Sequence, residues 1–207
     1  LCNAMQELGI TEAIATPHTY PGLWNNSTAD LTTAYANYCS SVDSLFIKNV
    51  ASEYLADVYL EHLMEQKTIV TLPGEYVLIE FSMLFASSER IMETLFQLKL
   101  KGFKVILAHP ERYLYWKNNL SAFERLKTFD LYFQMNSLSL LGYYGEDVKK
   151  LCQQLLDLEM YDFIGTDTHR IEHILFTKEV PLKIAGANCK QIEGLIQSNR
   201  IFSTSSF

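Results

Sequence analysis

The sequence predicts an α/β fold built on a mostly parallel sheet. Six short apolar runs, which we interpret as strands, alternate along the chain with amphipathic helical segments. The runs are mostly continuous in their apolar residues, as is typical of strands that are covered on both faces. No linker or low-complexity segment interrupts the order, so we expect one domain over residues 1–207. An open doubly wound sheet and a closed barrel both fit this order.

The predicted elements begin with a helix over residues 1–8, which a glycine at position 9 ends. A strand over 12–18 leads into a polar loop, and a helix then runs to about residue 41. The remaining predicted elements are strands at 45–54, 75–81, 104–110, 132–137 and 162–167, and helices at 57–67, 88–101, 121–127, 146–158, 171–176 and 189–197.

Composition excludes several classes of protein. With 24 acidic and 17 basic residues, the chain carries a net charge of −7, which argues against a nucleic-acid partner. No apolar stretch reaches the roughly 20 residues of a membrane span, so we expect no membrane insertion. The four cysteines show no C-x-x-C spacing and are too few for a disulfide framework. They predict reduced thiols in a cytoplasmic protein.

Polar side chains stand where the predicted strands end, which is where parallel α/β folds form their sites. Each alone has an ordinary explanation as a helix cap, a turn residue or a satisfied buried group. Carboxylates crowded on one rim repel one another unless a cation lies among them. Imidazoles and carboxylates without thiolates suit manganese, iron or zinc in a hydrolytic site. The residues are His18, Glu53, Glu80, His109, Asn136, Asp167 and His169.

Two arginines are candidates for phosphate binding. Arg112 follows His109 by three residues, and a guanidinium there could hold two anionic oxygens in a fork. The alternative is a surface arginine that pairs with Glu111. Arg170 directly follows His169 and is a second candidate for the same clamp.

Other features have weaker interpretations. His62 falls within a predicted amphipathic helix as an ordinary, partly exposed residue, whereas His173 could support the site. The aromatic loop at residues 20–24 either packs or overhangs the rim, where it could receive an aromatic substrate group. The chain has no nucleotide-binding glycine loop and no G-x-S-x-G elbow. No cysteine has an arginine six residues downstream, which excludes the phosphocysteine loop of common tyrosine phosphatases.

Five segments taken together resemble the polymerase-and-histidinol-phosphatase (PHP) superfamily. The resemblance is to its CpsB-type metal-dependent protein-tyrosine phosphatases of bacterial capsule and exopolysaccharide systems. The first and fourth segments are the most specific. The segments are Ala-Thr-Pro-His at 15–18, Ala-Ser-Glu-Tyr at 51–54, Tyr-Val-Leu-Ile-Glu at 76–80, Leu-Ala-His-Pro-Glu-Arg at 107–112 and Gly-Thr-Asp-Thr-His at 165–169.

This resemblance implies a distorted seven-stranded (β/α) TIM-like barrel, the PHP fold, with a trinuclear metal centre. The metal is usually Mn²⁺, with iron or zinc as alternatives. Arg112 would clamp the phosphate, with Arg170 as a second phosphate ligand, and Arg112, His109 and Asp167 would be catalytic. Glu53 and Glu80 would each bridge two metals. The implied metal ligands are His18, Glu53, Glu80, His109, Asp167 and His169.

The implied activity is hydrolysis of phosphotyrosine by a metal-activated water, without a phosphoenzyme. The implied substrate is a phosphotyrosine protein, the tyrosine-rich tail of a membrane-associated bacterial tyrosine kinase that governs polysaccharide export. One alternative is a small-molecule phosphatase of the same superfamily, such as a histidinol-phosphate phosphatase. Another is a catalytically inactive module that docks on the kinase.

The sequence departs from the family pattern in one place. The family's first strand ends in His-x-His, which supplies two further metal ligands, and this chain contains no His-x-His. We expect that strand to precede Leu1, since the chain starts inside the helix that should follow it; the alternative is that this member has lost a metal position.

Overall fold

The structure, a computed structural model, describes residues 1–20, 22–84, 88–179 and 187–203 and shows an α/β fold with parallel sheets. The strands are β1 (Ala13–Ala15), β2 (His18–Thr19), β3 (Ile47–Val50), β4 (Glu53–Leu55), β5 (Tyr76–Glu80), β6 (Lys104–Ala108), β7 (Tyr132–Asn136) and β8 (Phe163–Gly165). The α-helices are α1 (Cys2–Glu7), α2 (Thr28–Ser41), α3 (Val58–Gln66), α4 (Ser88–Leu100), α5 (Leu120–Thr128), α6 (Ser137–Leu141), α7 (Glu146–Asp157), α8 (Ile171–Glu179) and α9 (Ala187–Ser198). Short 3₁₀ helices cover Pro110–Arg112, Leu114–Trp116 and Asn199–Phe202.

Six strands form one sheet in the order β2-β4-β5-β6-β7-β8, and every neighbouring pair is parallel. Strands β1 and β3 pair in parallel as a separate two-stranded sheet. The predicted α/β class with parallel strands is therefore confirmed. Within the four described ranges the sheets do not close into a barrel, and the predicted barrel stays a prediction.

Two of the six predicted strands are each divided in two, so the predicted strand count was wrong. The predicted strand at 12–18 breaks before Pro17, which has no N–H to donate to a ladder. The predicted strand at 45–54 breaks at Ser52, whose N–H donates to the Val70 carbonyl (3.3 Å) and whose hydroxyl donates to the Pro17 carbonyl (2.9 Å). At each break the chain passes from the two-stranded sheet into the six-stranded sheet, and the two strands that follow, β2 and β4, pair with each other.

The central strands are apolar on both faces, and the two faces pack against different partners. One face packs on the helices and forms the larger core, with Val77, Ile79, Val105 and Leu107. On the other face, the Tyr76 ring lies 5.2 Å from Phe202 and 5.3 Å from Tyr132. Since alternate residues of a strand share a face, Glu80 lies on the same side as Tyr76, at the carboxyl end of β5. Aromatic packing thus fills one end of this face and leaves the other to polar groups.

No disulfide joins the four cysteines, all of which lie in the described part of the chain, as the sequence predicted.

The start of β8 is tied to β7 by one carboxylate, which gives a test of the fold. Asp162 accepts hydrogen bonds from the Phe133 N–H (2.7 Å) and from Lys127 Nζ (2.5 Å). We expect Asp162→Ala to lower the free energy of unfolding by about 1–3 kcal/mol, because a backbone N–H loses its acceptor. The control is Asp130→Asn in the exposed pair with Lys99, which should change it by less than about 1 kcal/mol. Urea unfolding measures both, and equal losses would contradict the role of Asp162.

Candidate metal centre

The strand register brings four of the predicted residues together. His18 pairs with Glu53 at the starts of β2 and β4, and Glu80 pairs with Leu55 across β5 and β4. His109 directly follows β6, the next strand along. Ligand atoms of His18, Glu53 and Glu80 all lie within 4.8 Å of one another. These side chains form the candidate metal centre.

Two imidazoles face the same two buried carboxylates. His18 Nδ1 lies 3.6 Å from Glu53 Oε2 and 3.5 Å from Glu80 Oε1. His109 Nε2 lies 3.0 Å from Glu53 Oε1 and 3.4 Å from Glu80 Oε2. Glu53 is 4% exposed and Glu80 is 5% exposed, so water screens their mutual repulsion poorly.

The electrostatics of this cluster favour positive charge between the carboxylates. Burial acts to raise the pKa of Glu53, but the hydrogen bond from His109 and the charges of His109 and His18 lower it further than burial raises it. Burial acts to lower the pKa of His109, yet its hydrogen bonds to Glu53 and Glu80 raise that pKa to about 10. The cluster therefore keeps Glu53 ionised and stabilises a cation beside it.

The donor set fits a divalent metal. Nδ1 of His18 is buried without a hydrogen-bond partner, although it lies against both carboxylates. An imidazole nitrogen with two carboxylates is a ligand set that manganese, iron and zinc accept. The backbone at His109 is left-handed (φ 36°), a conformation that costs energy in a non-glycine residue and is typical of functional sites.

Arg112 and Asp167 form a second cluster. Arg112 Nη1 lies 3.2 Å from Asp167 Oδ2, and the Asn136 amide donates to the same oxygen (2.8 Å). Arg112 also lies over the ring of Tyr144, with its Cζ 4.4 Å from the ring centroid. The alternative pairing of Arg112 with Glu111 at the surface is wrong, because Glu111 is fully buried and bonds to other groups.

His169 reaches the first cluster, whereas Arg170 contacts a different histidine. His169 Nε2 lies 3.1 Å from His18 Nε2, and the two rings stack with centroids 5.1 Å apart. The exposed Arg170 donates from Nε to Nε2 of His173 (3.2 Å). His173 is buried, and its Nδ1 lies 3.3 Å from the Asp167 carbonyl oxygen, so it supports the loop that carries Asp167.

His62 is exposed on α3, as the sequence predicted.

The aromatic loop lies on the rim of the centre. Tyr20 and Trp24 exchange backbone hydrogen bonds of 2.8 and 2.9 Å, which fix the loop as a narrow turn. Both rings lie 5.0 Å from the His18 imidazole. Trp24 is 49% exposed and Leu23 is 73% exposed, so apolar surface faces solvent beside a candidate ligand. Pro21 lies outside the described residues.

Comparison with known families settles which family contains this chain. Residues 1–175 match the family model for capsular polysaccharide synthesis, CpsB/CapC. The chain belongs to the CpsB/CapC family. This assignment agrees with the resemblance that the five sequence segments predicted.

Relatives of this CpsB/CapC member are named as tyrosine phosphatases. Tyrosine-protein phosphatase YwqE of Bacillus subtilis (strain 168) is 28% identical over 181 residues, which cover 83% of this chain and 69% of the relative. Putative tyrosine-protein phosphatase CapC of Staphylococcus aureus is 25% identical over 181 residues, with 83% and 68% covered. Tyrosine-protein phosphatase CpsB of Streptococcus pneumoniae is 32% identical over 136 residues, with 63% and 55% covered.

A solved structure shares the fold. It comes from crystallographic work on YwqE from Bacillus subtilis and CpsB from Streptococcus pneumoniae, which are described as unique metal-dependent tyrosine phosphatases. The alignment has a TM-score of 0.76 at 22% identity and covers 95% of this chain and 85% of that chain. In the described part of this CpsB/CapC member, none of the helices has the length and apolarity to cross a membrane.

Sequence reasoning missed three residues that hold the site together. The buried Tyr113 hydroxyl accepts from the Phe81 N–H (2.9 Å) and donates to the Ala108 carbonyl (3.1 Å), which joins the ends of β5 and β6. Glu111 accepts a hydrogen bond from the backbone N–H of Asn136. The third missed residue is Tyr144, whose ring lies against the guanidinium of Arg112. The signal for Glu111 was its place between His109 and Arg112, but nothing in the sequence indicated a role in the site for Tyr113 or Tyr144.

Glu111 gives a test of how the site is held. Its carboxylate accepts from the Asn136 N–H (2.9 Å) and the Tyr161 hydroxyl (3.0 Å). We expect Glu111→Ala to lower the free energy of unfolding by about 2–4 kcal/mol, since it leaves two buried donors unpaired and a void. Glu111→Gln should cost less than half as much, because the amide oxygen still accepts from Asn136.

The matched control for Glu111→Ala is Glu124→Ala, at an exposed position of α5, which should change stability by no more than about 0.5 kcal/mol. Chemical denaturation compares the three variants. If Glu111→Ala proved as mild as Glu124→Ala, the anchoring role of Glu111 would be refuted.

Proposed function

We propose that this CpsB/CapC protein is a metal-dependent protein-tyrosine phosphatase of capsule or exopolysaccharide synthesis. The observation that carries the proposal is the cluster of His18, His109, Glu53 and Glu80, in which both imidazoles lie against two buried carboxylates. The guanidinium of Arg112, which we propose binds phosphate, follows His109 by three residues. The names of the relatives support the same activity.

The proposed metal ligands divide into two groups. The first is the buried cluster, whose nitrogen and oxygen atoms already converge. The second is Asp167 and His169, on the loop after β8, where His169 reaches His18. We propose Mn²⁺ as the metal, in a trinuclear centre, with iron or zinc as alternatives that the same donors accept. When bound, such ions supply Lewis-acid chemistry that activates water and withdraws charge from a phosphoryl group.

The side chains of this protein bind and orient the phosphoryl group in the proposed mechanism. Arg112 holds two phosphoryl oxygens through its planar fork and aligns the phosphorus for in-line attack. Asp167 holds Arg112 in place, and Asn136 in turn holds Asp167, since both Arg112 and Asn136 donate to Asp167 Oδ2. Water is the proposed nucleophile, and the P–O bond to the tyrosine oxygen breaks as the new P–O bond forms, so the proposed reaction has no phosphoenzyme intermediate.

A phosphotyrosine protein is the proposed substrate, rather than a small phosphate ester. The loop with Tyr20, Leu23 and Trp24 offers exposed apolar surface beside His18, and a phenyl ring or a neighbouring peptide residue can pack there. The proposed physiological substrate is the tyrosine-rich tail of a bacterial tyrosine kinase. Arg170 is proposed as a second phosphate ligand, which requires it to leave His173.

The remaining parts of the proposal concern the whole chain. We propose that residues 1–207 form one phosphatase domain, that its parallel sheets belong to a distorted barrel of the PHP kind, and that it acts in the cytoplasm. In the described part of the chain, the strands of the main sheet follow one another in chain order, without the reversal that is typical of a doubly wound sheet, and this supports the barrel.

Substrate preference tests the proposed function directly. We expect Mn²⁺-loaded protein to release phosphate faster from a phosphotyrosine peptide than from histidinol phosphate, to lose activity with EDTA, and to regain it with Mn²⁺. Phosphate release measures all three. Faster turnover of histidinol phosphate would favour the small-molecule alternative, and metal-loaded protein inactive on both substrates would contradict the phosphatase proposal.

Removal of single ligands tests the proposed metal centre. We expect His109→Ala and Glu80→Ala to deplete bound manganese and to lower turnover by about a hundredfold or more, since loss of even an outer partner of a metal ligand costs about 10–100-fold. His62→Ala removes an exposed histidine and should change neither quantity. Elemental analysis measures bound manganese, phosphate release measures turnover, and circular dichroism checks that each variant folds. Wild-type metal content in folded His109→Ala protein would contradict the ligand assignment.

A further inference from the structure

Tyr144 lies against the guanidinium of Arg112 in a place that the proposed chemistry leaves without a role. The Arg112 Cζ stands over the tyrosine ring, 4.4 Å from its centroid, within the range of a cation–π contact. Both side chains are half-buried. Arg112 also contacts the carboxylate of Asp167. The ring is therefore the apolar surface on which this arginine rests.

The loop that carries Tyr144 is short and fixed at both ends. It joins α6 to α7 and lies between two glycines with left-handed backbone, Gly142 (φ 89°) and Gly145 (φ 95°). Helix α6 begins directly after Asn136, the last residue of β7. The Tyr143 ring packs edge-on against Tyr144, with centroids 5.1 Å apart. The sheet thus determines where the Tyr144 ring lies.

The ring, rather than the hydroxyl, makes the close contact. The Tyr144 hydroxyl lies 3.5 Å from Asp167 Oδ2 and 3.4 Å from Asn136 Nδ2, which is long for a hydrogen bond. Asn136 already donates to Asp167 at 2.8 Å. Asp167 is thus held without the hydroxyl, whereas Arg112 lies directly over the tyrosine ring.

We propose that Tyr144 is a positioning residue whose ring fixes the guanidinium of Arg112 for binding a phosphoryl group. This inference rests on the proposed function, in which Arg112 binds phosphate. The ring covers the face of the guanidinium, and its N–H groups point outward in the plane, where they meet anionic oxygens. A free arginine loses rotamer freedom when it binds an anion, and a ring that already restricts the side chain reduces that loss.

Affinity for inorganic phosphate tests this role without turnover. In Mn²⁺-loaded protein we expect Tyr144→Leu to weaken phosphate binding roughly tenfold, equal to about 1.4 kcal/mol. Tyr144→Phe keeps the ring and should stay within about twofold of wild type. Calorimetric titration measures the affinity, and elemental analysis should show unchanged metal content. Unchanged phosphate affinity in Tyr144→Leu, or depleted metal, would overturn the inference.

Two further variants make the comparison specific. Tyr132→Leu removes a half-buried ring at the opposite end of β7 and should leave phosphate affinity unchanged. Tyr144→Gln also removes the ring, keeps a polar side chain, and replaces Tyr144→Leu if that variant does not fold. A loss in Tyr132→Leu equal to that in Tyr144→Leu would mean a general effect on the fold and would overturn the proposed role.

A double variant tests whether Tyr144 acts through Arg112. We expect Tyr144→Leu to have no further effect on phosphate affinity in an Arg112→Ala background, because the group it positions is gone. Additive losses would overturn the inference. If Arg112→Ala weakens phosphate binding and Tyr144→Leu does not, this inference fails alone. If the wild-type protein neither binds phosphate nor hydrolyses phosphotyrosine, the proposed function fails, and this inference fails with it.

Discussion

The repulsion between two buried carboxylates is the constraint on which the rest of this site depends. Glu53 and Glu80 lie on neighbouring parallel strands and are almost fully buried, so solvent does little to separate their charges. His18 and His109 approach both of them from either side. Two buried carboxylates with two imidazole nitrogens beside them form a ligand set that is suited to a metal ion.

The fold places these groups through a change of sheet in the backbone and a link made by one side chain. The chain leaves the small sheet at Pro17 and enters the main sheet one residue later, so His18 pairs with Glu53 rather than continuing β1. Tyr113 joins the ends of β5 and β6, which carry Glu80 and lead to His109. On the same face, aromatic packing fills the opposite end of the strands. The polar side chains at one end of this face are thus supported by packed aromatic side chains at the other end.

Much of the fold and part of the site could be predicted from the sequence because both follow from strand periodicity. Continuous apolar runs predict buried parallel strands, and the polar residues that follow parallel strands meet at one edge, which located Glu80 and His109 at strand ends and His18 and Glu53 three residues past β1 and β3. The break at Ser52 could not be predicted in this way, because it depends on hydrogen bonds from Ser52 to the distant carbonyls of Val70 and Pro17. Contacts between loops, such as that of Tyr144 with Arg112, depend on tertiary packing that has no period in the sequence. The roles of His18, Glu53, Glu80 and His109 as metal ligands remain predictions.

Anomalous diffraction from crystals soaked in manganese is the most direct test of the metal centre. We expect strong peaks at the manganese absorption edge between the side chains of His18, Glu53 and Glu80, with a His109 nitrogen within coordination distance of one of them. Crystals that showed no anomalous density at these side chains, or showed it elsewhere in the protein, would contradict the account.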